Sequence, residues 1–376
     1  MKIMLVGSGS NYSTTEVNAG LLHGLQQQPD VEVVEFDTRN QFATHDFLMR
    51  KLLKETGRED LAPDRELDPL KIDRELGDRY RDYDLELQYR STISIITETM
   101  RYGVDAIVLV SAYMISDEVL SMMSLNPATP HGAGVAQTVA IFTESPYEDT
   151  RQGRQASYID GFFVNDEASV DGVAALSGVP GAYLPMAYHP LLHTPRNGAT
   201  PSGHDVVFVG VGYEERIALL EAVDWTGVDL GLYGDWRHLA GDSPLHRHVR
   251  GGVVTNEEAV ELYKSSKVGL NLYRTCVDYW MDDPSQVEGT ALNPRAFELA
   301  ACRVPQITQF RPEWDRIFSG REGVFTDAAG LQEQLAQYLG NREALESLAN
   351  VQHARVRDHS YVDRAARVVE GLREWR

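Results

Sequence analysis

The stretch NPRAFELAACRVPQI, residues 293–307, predicts a helix that begins at Pro294, followed by a sharp turn and a strand. Proline suits the first position of a helix, where its missing N–H costs no hydrogen bond. Arg295 and Glu298 are three residues apart, so they share one face of the helix close to its positively charged N-terminal end. A cation and a carboxylate in this arrangement favour a ligand that carries both phosphate and hydroxyl groups.

The composition indicates an acidic protein of more than one domain. The chain has 376 residues, of which 43% are hydrophobic, enough for a substantial core in each of about two domains. The formal net charge of −21 opposes nonspecific binding to nucleic acid or to an anionic membrane. Binding to nucleic acid would therefore require a local basic groove.

The N-terminus and the cysteines favour a cytoplasmic protein without a membrane span. The apolar opening Met1–Val6 is far too short for a signal peptide or a transmembrane helix, and we predict that it forms a buried first strand. The only cysteines, Cys276 and Cys302, do not make a disulfide framework, which favours a reducing compartment.

Apolar, β-branched segments alternate with helical segments through the first half of the chain. The predicted strands are Lys2–Val6, Val31–Phe36, Val104–Val110, Val139–Phe142, Gly161–Val164 and Ala182–Leu184. Strands separated by helices predict an open, doubly wound parallel sheet, and so a Rossmann-like α/β domain over residues 1–190. The stretch from about 50 to 90 is dense in charged residues, and we interpret it as long, mostly solvated helices inserted in this domain.

A second alternating unit follows a polar linker, His193–Gly203, and we place this domain at residues 191–358. Its predicted strands are Asp205–Val209, Asp229–Tyr233, Val268–Tyr273, Gln306–Thr308 and Gly323–Phe325. A C-terminal helix within residues 359–376 is expected to pack back toward the first domain. The pattern is that of an α/β protein with two Rossmann-like, doubly wound parallel-sheet domains.

A short glycine loop, Gly7-Ser8-Gly9, follows the first strand and matches the start of the Gly-x-Gly-x-x-Gly pattern that cradles a dinucleotide. Tyr12 replaces the third glycine, although Asp37 ends the second strand as a ribose-binding acid would. The incomplete pattern makes a NAD-dependent oxidoreductase a minor alternative. Since ligands bind such sheets at the carboxyl ends of the strands, Gly7, Ser8 and Gly9 are candidates for a loop that lines a cleft.

Glu144 follows a strand that ends at Phe142, in the loop Thr143–Asp149. A carboxylate at the carboxyl edge of a sheet is placed to act as a general base or to bind a sugar hydroxyl. The alternative is a carboxylate that caps a helix or a loop, and the residue type alone does not separate the two.

Two further loops of the second domain contain residues that could bind a nucleotide. Gly210 and Gly212 precede a helix whose free amides could meet a diphosphate, with Arg216 one turn further along. Tyr233 and Gly234 end the next strand and could border a base. A tight turn that needs no ligand would also explain the glycines.

Tyr273 and Arg274 end another strand and complete this set of candidates. The loop that follows contains Asp282-Asp283, but two adjacent acids do not face one point, so we predict no metal site there. The stretch His246–His248 lacks the helical spacing of zinc ligands. We therefore expect no bound metal.

The chain from about residue 206 onward resembles the nucleotide-sugar-binding domain of the GT-B glycosyltransferases, in particular the spore-maturation-protein-like (CgeB-like) group within group 1. The matching segments are VFVG at 207–210, LYG at 232–234, LYKSSKVGLN at 262–271, NPRAFELAAC at 293–302 and HSYVDR at 359–364. In the first domain, FTESP at 142–146 and LPMAYHP at 184–190 are similar to the group's cleft loop and interdomain strand.

The resemblance implies a GT-B fold whose two domains face a cleft, with a nucleoside-diphosphate-sugar held mainly by the second domain. In that family arrangement Glu298 binds the ribose and Arg295 lies near the diphosphate, and Asn293 belongs to the same donor-binding set. Such enzymes usually need no metal or other cofactor, because helix amides and basic side chains offset the charge of the leaving diphosphate.

The chain departs from the group-1 pattern at two places. Group-1 enzymes often have two glutamates separated by seven residues, whereas nine residues separate Glu288 from Glu298. The histidine often found at the cleft loop is replaced by Glu144 or Ser145. On family grounds we expect the transferred sugar to keep its configuration, and an inverting displacement with Glu144 as base is the alternative.

The sequence thus predicts a glycosyltransferase that moves a hexosyl or pentosyl group from a nucleoside-diphosphate-sugar, with a UDP-sugar favoured. The acceptor would bind in the interdomain cleft and would be a hydroxymethylated DNA base, a glycan or a protein. The alternative is a non-catalytic protein of GT-B-like fold that binds a nucleotide-sugar or a partner. Intact Arg295 and Glu298 favour the enzyme.

Overall fold

The computed structural model describes residues 1–8, 13–63, 80–125, 134–196, 201–275 and 288–375. The chain divides into two compact units. The first contains Met1–Leu184 and the C-terminal residues from Arg364, and the second lies between Pro185 and Asp363. None of the helices within the described ranges is long and apolar enough to cross a membrane.

The sheet of the first unit consists of β1 (Lys2–Val6), β2 (Glu32–Phe36), β3 (Ala106–Val110), β4 (Gln137–Phe142), β5 (Gly161–Val164) and β6 (Gly181–Tyr183). These strands pair in the order β2-β1-β3-β4-β5-β6, and every neighbouring pair is parallel. All residues of β3 and β4 are buried, as expected for central strands covered by helices on both faces. The order reverses direction between β1 and β3, which makes that pair a topological switch point.

The helices of the first unit are α1 (Ser13–Gln26), α2 (Thr38–Glu55), α3 (Arg81–Thr92), α4 (Ser94–Tyr102), α5 (Asp117–Met123), α6 (Asp149–Ala156) and α7 (Val170–Ser177). The charged stretch predicted to be helical contains the end of α2 and most of α3. These two helices pack through Phe42, Tyr83 and Leu87, which belong to a small apolar cluster. Residues 64–79 of the charged stretch lie outside the described residues.

The sheet of the second unit consists of β7 (Val206–Val209), β8 (Leu230–Tyr233), β9 (Val249–Gly251), β10 (Val268–Asn271), β11 (Gln306–Gln309) and β12 (Val324–Phe325). Its order is β12-β11-β10-β7-β8-β9, again with parallel pairs throughout. The switch point lies between β7 and β10. Sequence analysis missed β9, because its three residues contain no apolar run.

The helices of the second unit are α8 (Glu214–Glu221), α9 (Asn256–Ser265), α10 (Pro294–Ala301), α11 (Trp314–Ile317), α12 (Ala328–Tyr338) and α13 (Arg342–Arg355). A capping box, in which Thr255 and Glu258 bond each other's backbone N–H, begins α9. The two parallel sheets with flanking helices confirm the predicted α/β class of two doubly wound domains.

The C-terminal helix α14 (Tyr361–Glu374) belongs to the first unit from Arg364 onward. The ring of Trp375, directly after it, lies 4.8 Å from the ring of Phe163 on β5, centroid to centroid. Gly371 faces the same phenyl ring, and a Cβ atom there would lie only 2.6 Å from it. The end of the chain therefore packs on the sheet of the first unit.

Candidate functional site

The N-terminus of α10 is tied to the end of β10. Asn293 caps the helix, because its side-chain oxygen accepts a hydrogen bond from the N–H of Ala296 at 3.2 Å. The amide nitrogen of the same side chain donates to Oδ1 of Asn271, the last residue of β10, at 2.9 Å. The helix therefore begins where the sequence predicts, and its first turn lies beside the switch point of the second sheet.

Arg295 reaches from α10 to the neighbouring strand across this switch point. Its guanidinium donates to the carbonyl oxygen of Val209, the last residue of β7, and to the hydroxyl of Tyr263 at 3.3 Å. The guanidinium carbon lies 4.9 Å from the centre of the Phe208 ring. Ligands of doubly wound sheets bind beyond the carboxyl ends of the strands at this point. Arg295 thus places a cation beside the switch point of the second sheet.

Glu298 lies one turn further along α10 and is half-buried. Burial raises the pKa of its carboxyl group from 4.5 to about 7, and the nearby Arg295 guanidinium opposes this rise. The guanidinium donates its hydrogen bonds elsewhere, and within the described ranges no group donates a hydrogen bond to the Glu298 carboxylate. The carboxylate therefore keeps acceptor capacity for the hydroxyl groups of a ligand.

Arg216 is buried and shapes the loop after β7. Its guanidinium donates to three carbonyl oxygens, those of Val211 at 2.9 Å, Leu272 at 3.0 Å and Tyr273 at 3.3 Å. Burial and the nearby Arg295 lower its pKa to about 10, so it stays charged at neutral pH. Because each guanidinium nitrogen already donates to the backbone, we assign Arg216 to joining the ends of β7 and β10 rather than to the predicted contact with a diphosphate.

Glycines allow the loops after β7 and β8 to touch each other. The N–H of Gly210 donates to the carbonyl oxygen of Tyr233 at 2.9 Å, and that of Gly212 donates to the carbonyl oxygen of Asp235 at 2.8 Å. A Cβ atom on Gly234, whose φ is +120°, would lie 2.2 Å from the carbonyl oxygen of Gly210. The amides of Gly210 and Gly212 are therefore not free for a diphosphate, contrary to the prediction, and close loop packing explains the glycines.

The Tyr233 side chain points away from the carboxyl edge of the sheet. Its hydroxyl lies 2.9 Å from Nε2 of His204, which precedes β7, and Nδ1 of that imidazole lies 2.8 Å from the Asp229 carboxylate. The ring is thereby directed toward the amino ends of the strands. This orientation does not fit the predicted contact with a nucleotide base.

Tyr273 and Arg274 follow β10 and belong to a polar network that is largely buried. Burial raises the pKa of Tyr273 to about 12, and its hydroxyl accepts from Nδ2 of Asn271 at 3.1 Å. The buried Arg311 guanidinium lies 5.0 Å from the centre of the Tyr273 ring and donates to the carbonyl oxygens of Arg274 at 2.9 Å and of Gly289. Sequence analysis missed Arg311, although its position just beyond the carboxyl end of β11 was an available signal.

The segment that leads into α10 is held by a buried carboxylate. Glu313 accepts from the N–H of Leu292 at 2.5 Å, and its own N–H donates to the carbonyl oxygen of Thr290 at 3.1 Å. Glu288, the earlier glutamate considered in the family pattern, is exposed, and its carboxylate lies 3.7 Å from the Arg311 guanidinium. An ion pair with one exposed partner contributes little stability, so nothing here gives Glu288 a special role.

In the first unit, hydroxyl groups hold the loop after β1. The Thr38 hydroxyl donates to the carbonyl oxygen of Gly7 at 2.8 Å, and the buried Ser8 hydroxyl donates to the Thr14 hydroxyl at 2.9 Å. Gly9 lies outside the described residues, so its place in a cleft loop stays a prediction. The contacts of Gly7 and Ser8 are structural and require no ligand.

Glu144 lies on a loop whose backbone is fixed by buried side chains. The amide of Asn165 accepts from the N–H of Ser145 at 3.0 Å and donates to the carbonyl oxygen of the same residue at 3.1 Å. Gln152 accepts from the Ser145 hydroxyl at 2.6 Å and donates to the hydroxyl of the buried Tyr113 at 2.8 Å. A half-buried carboxylate on a fixed loop, just beyond the end of β4, is suited to general-base catalysis.

Three solved structures share this architecture over nearly their whole length. Sucrose-phosphate synthase from Thermosynechococcus elongatus aligns with a TM-score of 0.61 at 12% identity, over 100% of this chain and 98% of that one. A DNA-modifying β-glucosyltransferase, crystallised with and without uridine diphosphoglucose, aligns with a TM-score of 0.56 at 10% identity, over 99% and 100%. T4 phage BGT in complex with its UDP-glucose substrate aligns with a TM-score of 0.52 at 12% identity, over 100% and 97%.

The chain has the GT-B fold. At such low identities the likeness concerns the fold alone. Residues 216–370 match a family model described as glycosyl transferase-like, which is less than half of the chain. No curated protein matches the chain in sequence. The family match and the fold together support a glycosyltransferase, while the narrower spore-maturation-protein-like group stays a prediction.

Proposed function

We propose that this protein is a glycosyltransferase that binds a nucleoside-diphosphate-sugar at the switch point of the second sheet. The observation that carries the proposal is a pair of guanidinium groups, those of Arg216 and Arg295. Their carbons lie 5.5 and 4.9 Å from the centre of the Phe208 ring. Neither forms an ion pair with a carboxylate in the parts of the chain that the structure describes.

Two neighbouring cations repel each other and are costly to bury. The mutual cost is visible at Arg216, whose pKa is lowered by burial and by Arg295. The carboxylates of Glu215 and Glu298 act on these cations electrostatically and offset part of the cost. An anionic ligand would offset the cost, and a diphosphate at the carboxyl edge of the sheet is the anion that a GT-B fold is suited to bind.

Glu298 supplies a second kind of recognition on the same face of α10. Its carboxylate has free acceptor capacity, and vicinal hydroxyls such as those of a ribose are donors. We therefore assign the phosphate contact to Arg295 and the ribose contact to Glu298. A UDP-sugar is the favoured donor, because β-glucosyltransferase structures of the same fold were determined with UDP-glucose.

For the transfer step, we assign the acceptor side of the reaction to Glu144. In an inverting displacement, the acceptor hydroxyl gives its proton to this carboxylate, its oxygen attacks the anomeric carbon, and the bond to the diphosphate breaks. In the retaining route, which we favour on family grounds, a diphosphate oxygen takes the proton instead. In both routes the Arg295 cation offsets charge on the leaving diphosphate, so the proposal requires no metal ion.

The acceptor in this proposal is a hydroxyl group of a glycan, a protein or a hydroxymethylated DNA base. DNA is suggested by the fold shared with a DNA-modifying β-glucosyltransferase. The net charge of −21 opposes binding to the phosphate backbone, so a glycan or a protein is the acceptor class that the charge favours.

The test is to incubate the protein with UDP-, GDP- and dTDP-sugars and to follow thermal stabilisation and sugar hydrolysis. We expect a UDP-sugar to raise Tm and to be hydrolysed slowly. Glu298→Ala should weaken donor binding, and the exposed Glu288 provides a matched control, since Glu288→Ala should leave it unchanged. No response to any nucleotide-sugar, together with stabilisation by NAD(H), would overturn the proposal.

The alternative is a non-catalytic protein that binds a nucleotide-sugar without turnover, and the cleft loop with Glu144 in place of a histidine favours it. Stabilisation by a UDP-sugar without hydrolysis, and without transfer to any acceptor offered, would select this alternative.

An oxidoreductase has less support. Asp37, its ribose-binding candidate, caps α2 by accepting from the N–H of Asn40 at 3.0 Å, a role that needs no cofactor.

A further inference from the structure

His193 is a buried histidine near the start of the second unit, in a stretch that the sequence marks only as the beginning of a linker. Its side chain is 2% exposed. Its N–H donates to the carbonyl oxygen of His189 at 2.9 Å, and its Nδ1 accepts from the N–H of His189 at 3.0 Å. These two bonds close a turn and set the orientation of the ring.

The turn also selects the tautomer of His193. Burial is the main cause that lowers the pKa of this imidazole to about 3, so the ring is neutral near pH 7. A neutral imidazole carries one proton, and Nδ1 is already an acceptor. The proton is therefore on Nε2, and the other edge of the ring is a hydrogen-bond donor.

The Glu298 carboxylate is close to this ring. A ring nitrogen of His193 and a carboxylate oxygen of Glu298 lie within 4.8 Å of each other. Two polar groups at such a distance can be joined through one bridging water molecule. The two elements involved, the turn at 189–193 and helix α10, are both within the second unit.

We propose that His193 is a positioning residue for Glu298, whose carboxylate it holds, directly or through one water, in the orientation that leaves an oxygen free for the donor's ribose. This inference rests on the proposed function. A carboxylate with one oxygen held by the protein loses less side-chain freedom when its ligand binds. His193 itself touches no substrate in this arrangement.

Two substitutions separate this role from simple support of the turn. His193→Gln places an amide near the position of Nε2 and removes the acceptor at Nδ1. His193→Asn places its side-chain oxygen near the position of Nδ1 and removes the donor at Nε2. If Nε2 positions Glu298, the glutamine variant keeps its affinity for UDP-glucose within about threefold, whereas the asparagine variant loses roughly tenfold, the usual effect of one hydrogen bond.

A measurement without ligand tests the same contact independently of the donor. We expect His193→Asn and Glu298→Ala together to lower Tm by less than the sum of the two single effects, because they remove the same interaction. Additive losses, or a glutamine variant that binds UDP-glucose as weakly as the asparagine variant, would overturn the inference. If the Tm effects of the two substitutions are not additive but the wild-type protein binds no nucleotide-sugar, the contact between His193 and Glu298 is supported and the proposed function fails.

Discussion

Replacing Arg216 and Arg295 by lysine, one at a time, separates support of the site from contact with the ligand. Both substitutions keep the positive charge, but lysine has one ammonium on a flexible stem in place of a planar guanidinium. The two variants are matched controls for each other, because both guanidiniums lie beside the Phe208 ring.

We expect Arg216→Lys to lose two of the three hydrogen bonds to the carbonyl oxygens of Val211, Leu272 and Tyr273, because one ammonium does not span the positions of three guanidinium nitrogens. A buried acceptor left without a donor costs about 1–3 kcal/mol, so we expect a loss of about 2–5 kcal/mol of stability and a fall in Tm of roughly 5–15 °C. Affinity for UDP should stay within about threefold, because the positive charge remains and Arg216 does not touch the ligand.

Arg295→Lys should have the opposite effect, with a small change in stability and a large change in affinity for UDP. The side chain is only half-buried and donates to two groups, Val209 and Tyr263, so we expect Tm to fall by less than in the first variant. The affinity for UDP should fall by about 10- to 100-fold, since a charge-assisted hydrogen bond contributes about 1.5–3 kcal/mol. Titration calorimetry with UDP and a thermal melt measure both quantities on the same samples.

The reverse pattern would refute this reasoning. If Arg216→Lys weakened UDP binding more than Arg295→Lys and left Tm unchanged, the buried guanidinium would be the ligand contact. If neither variant altered UDP binding, the pair would not be a diphosphate site at all.

Three further outcomes are expected. Gly234→Ala should lower Tm by several degrees, because its Cβ would lie 2.2 Å from a carbonyl oxygen of the neighbouring loop, whereas Gly241→Ala, with open space around it, should not; equal Tm values would contradict the loop packing. The raised pKa of Glu298 means that its contribution to stability is present below pH 4.5 and is lost as pH rises through about 7, so Tm should fall less between pH 5 and 8 in Glu298→Gln than in the wild type. If Glu144 is the base, as in the inverting route, Asn165→Ala should lower kcat at unchanged donor affinity, because it releases both backbone groups of Ser145 beside Glu144; unchanged kcat would count against the inverting route.

The start of α10 could be predicted because its signals are local. Asn293 and Pro294 suit the cap and the first position of a helix through their own chemistry, whatever the rest of the chain does. The structure agrees, with the Asn293 side chain accepting from Ala296. The central strands were also predictable, since a parallel strand covered on both faces must be apolar throughout.

The roles of the loop residues after β7 and β8 could not be predicted in the same way. Gly210 and Gly212 have the spacing of a phosphate loop, but their amides donate to the backbone of the next loop. Tyr233 ends a strand as a base-stacking residue would, yet its hydroxyl lies beside His204. In both cases the partner is distant in sequence and is brought close only by the pairing of β7 with β8.

The sequence by itself determined the alternation of strands and helices, the two-domain organisation and the shared face of Arg295 and Glu298, because these follow from periodicity and local capping. Only the tertiary structure distinguished the surroundings of the two arginines of the proposed site. Arg216 and Arg295 are the same residue type near similar loops, but the first is surrounded by carbonyl oxygens and the second lies half-buried beside Glu298. Burial and hydrogen-bond partners depend on which strands are neighbours, and sheet order is a property of the whole unit.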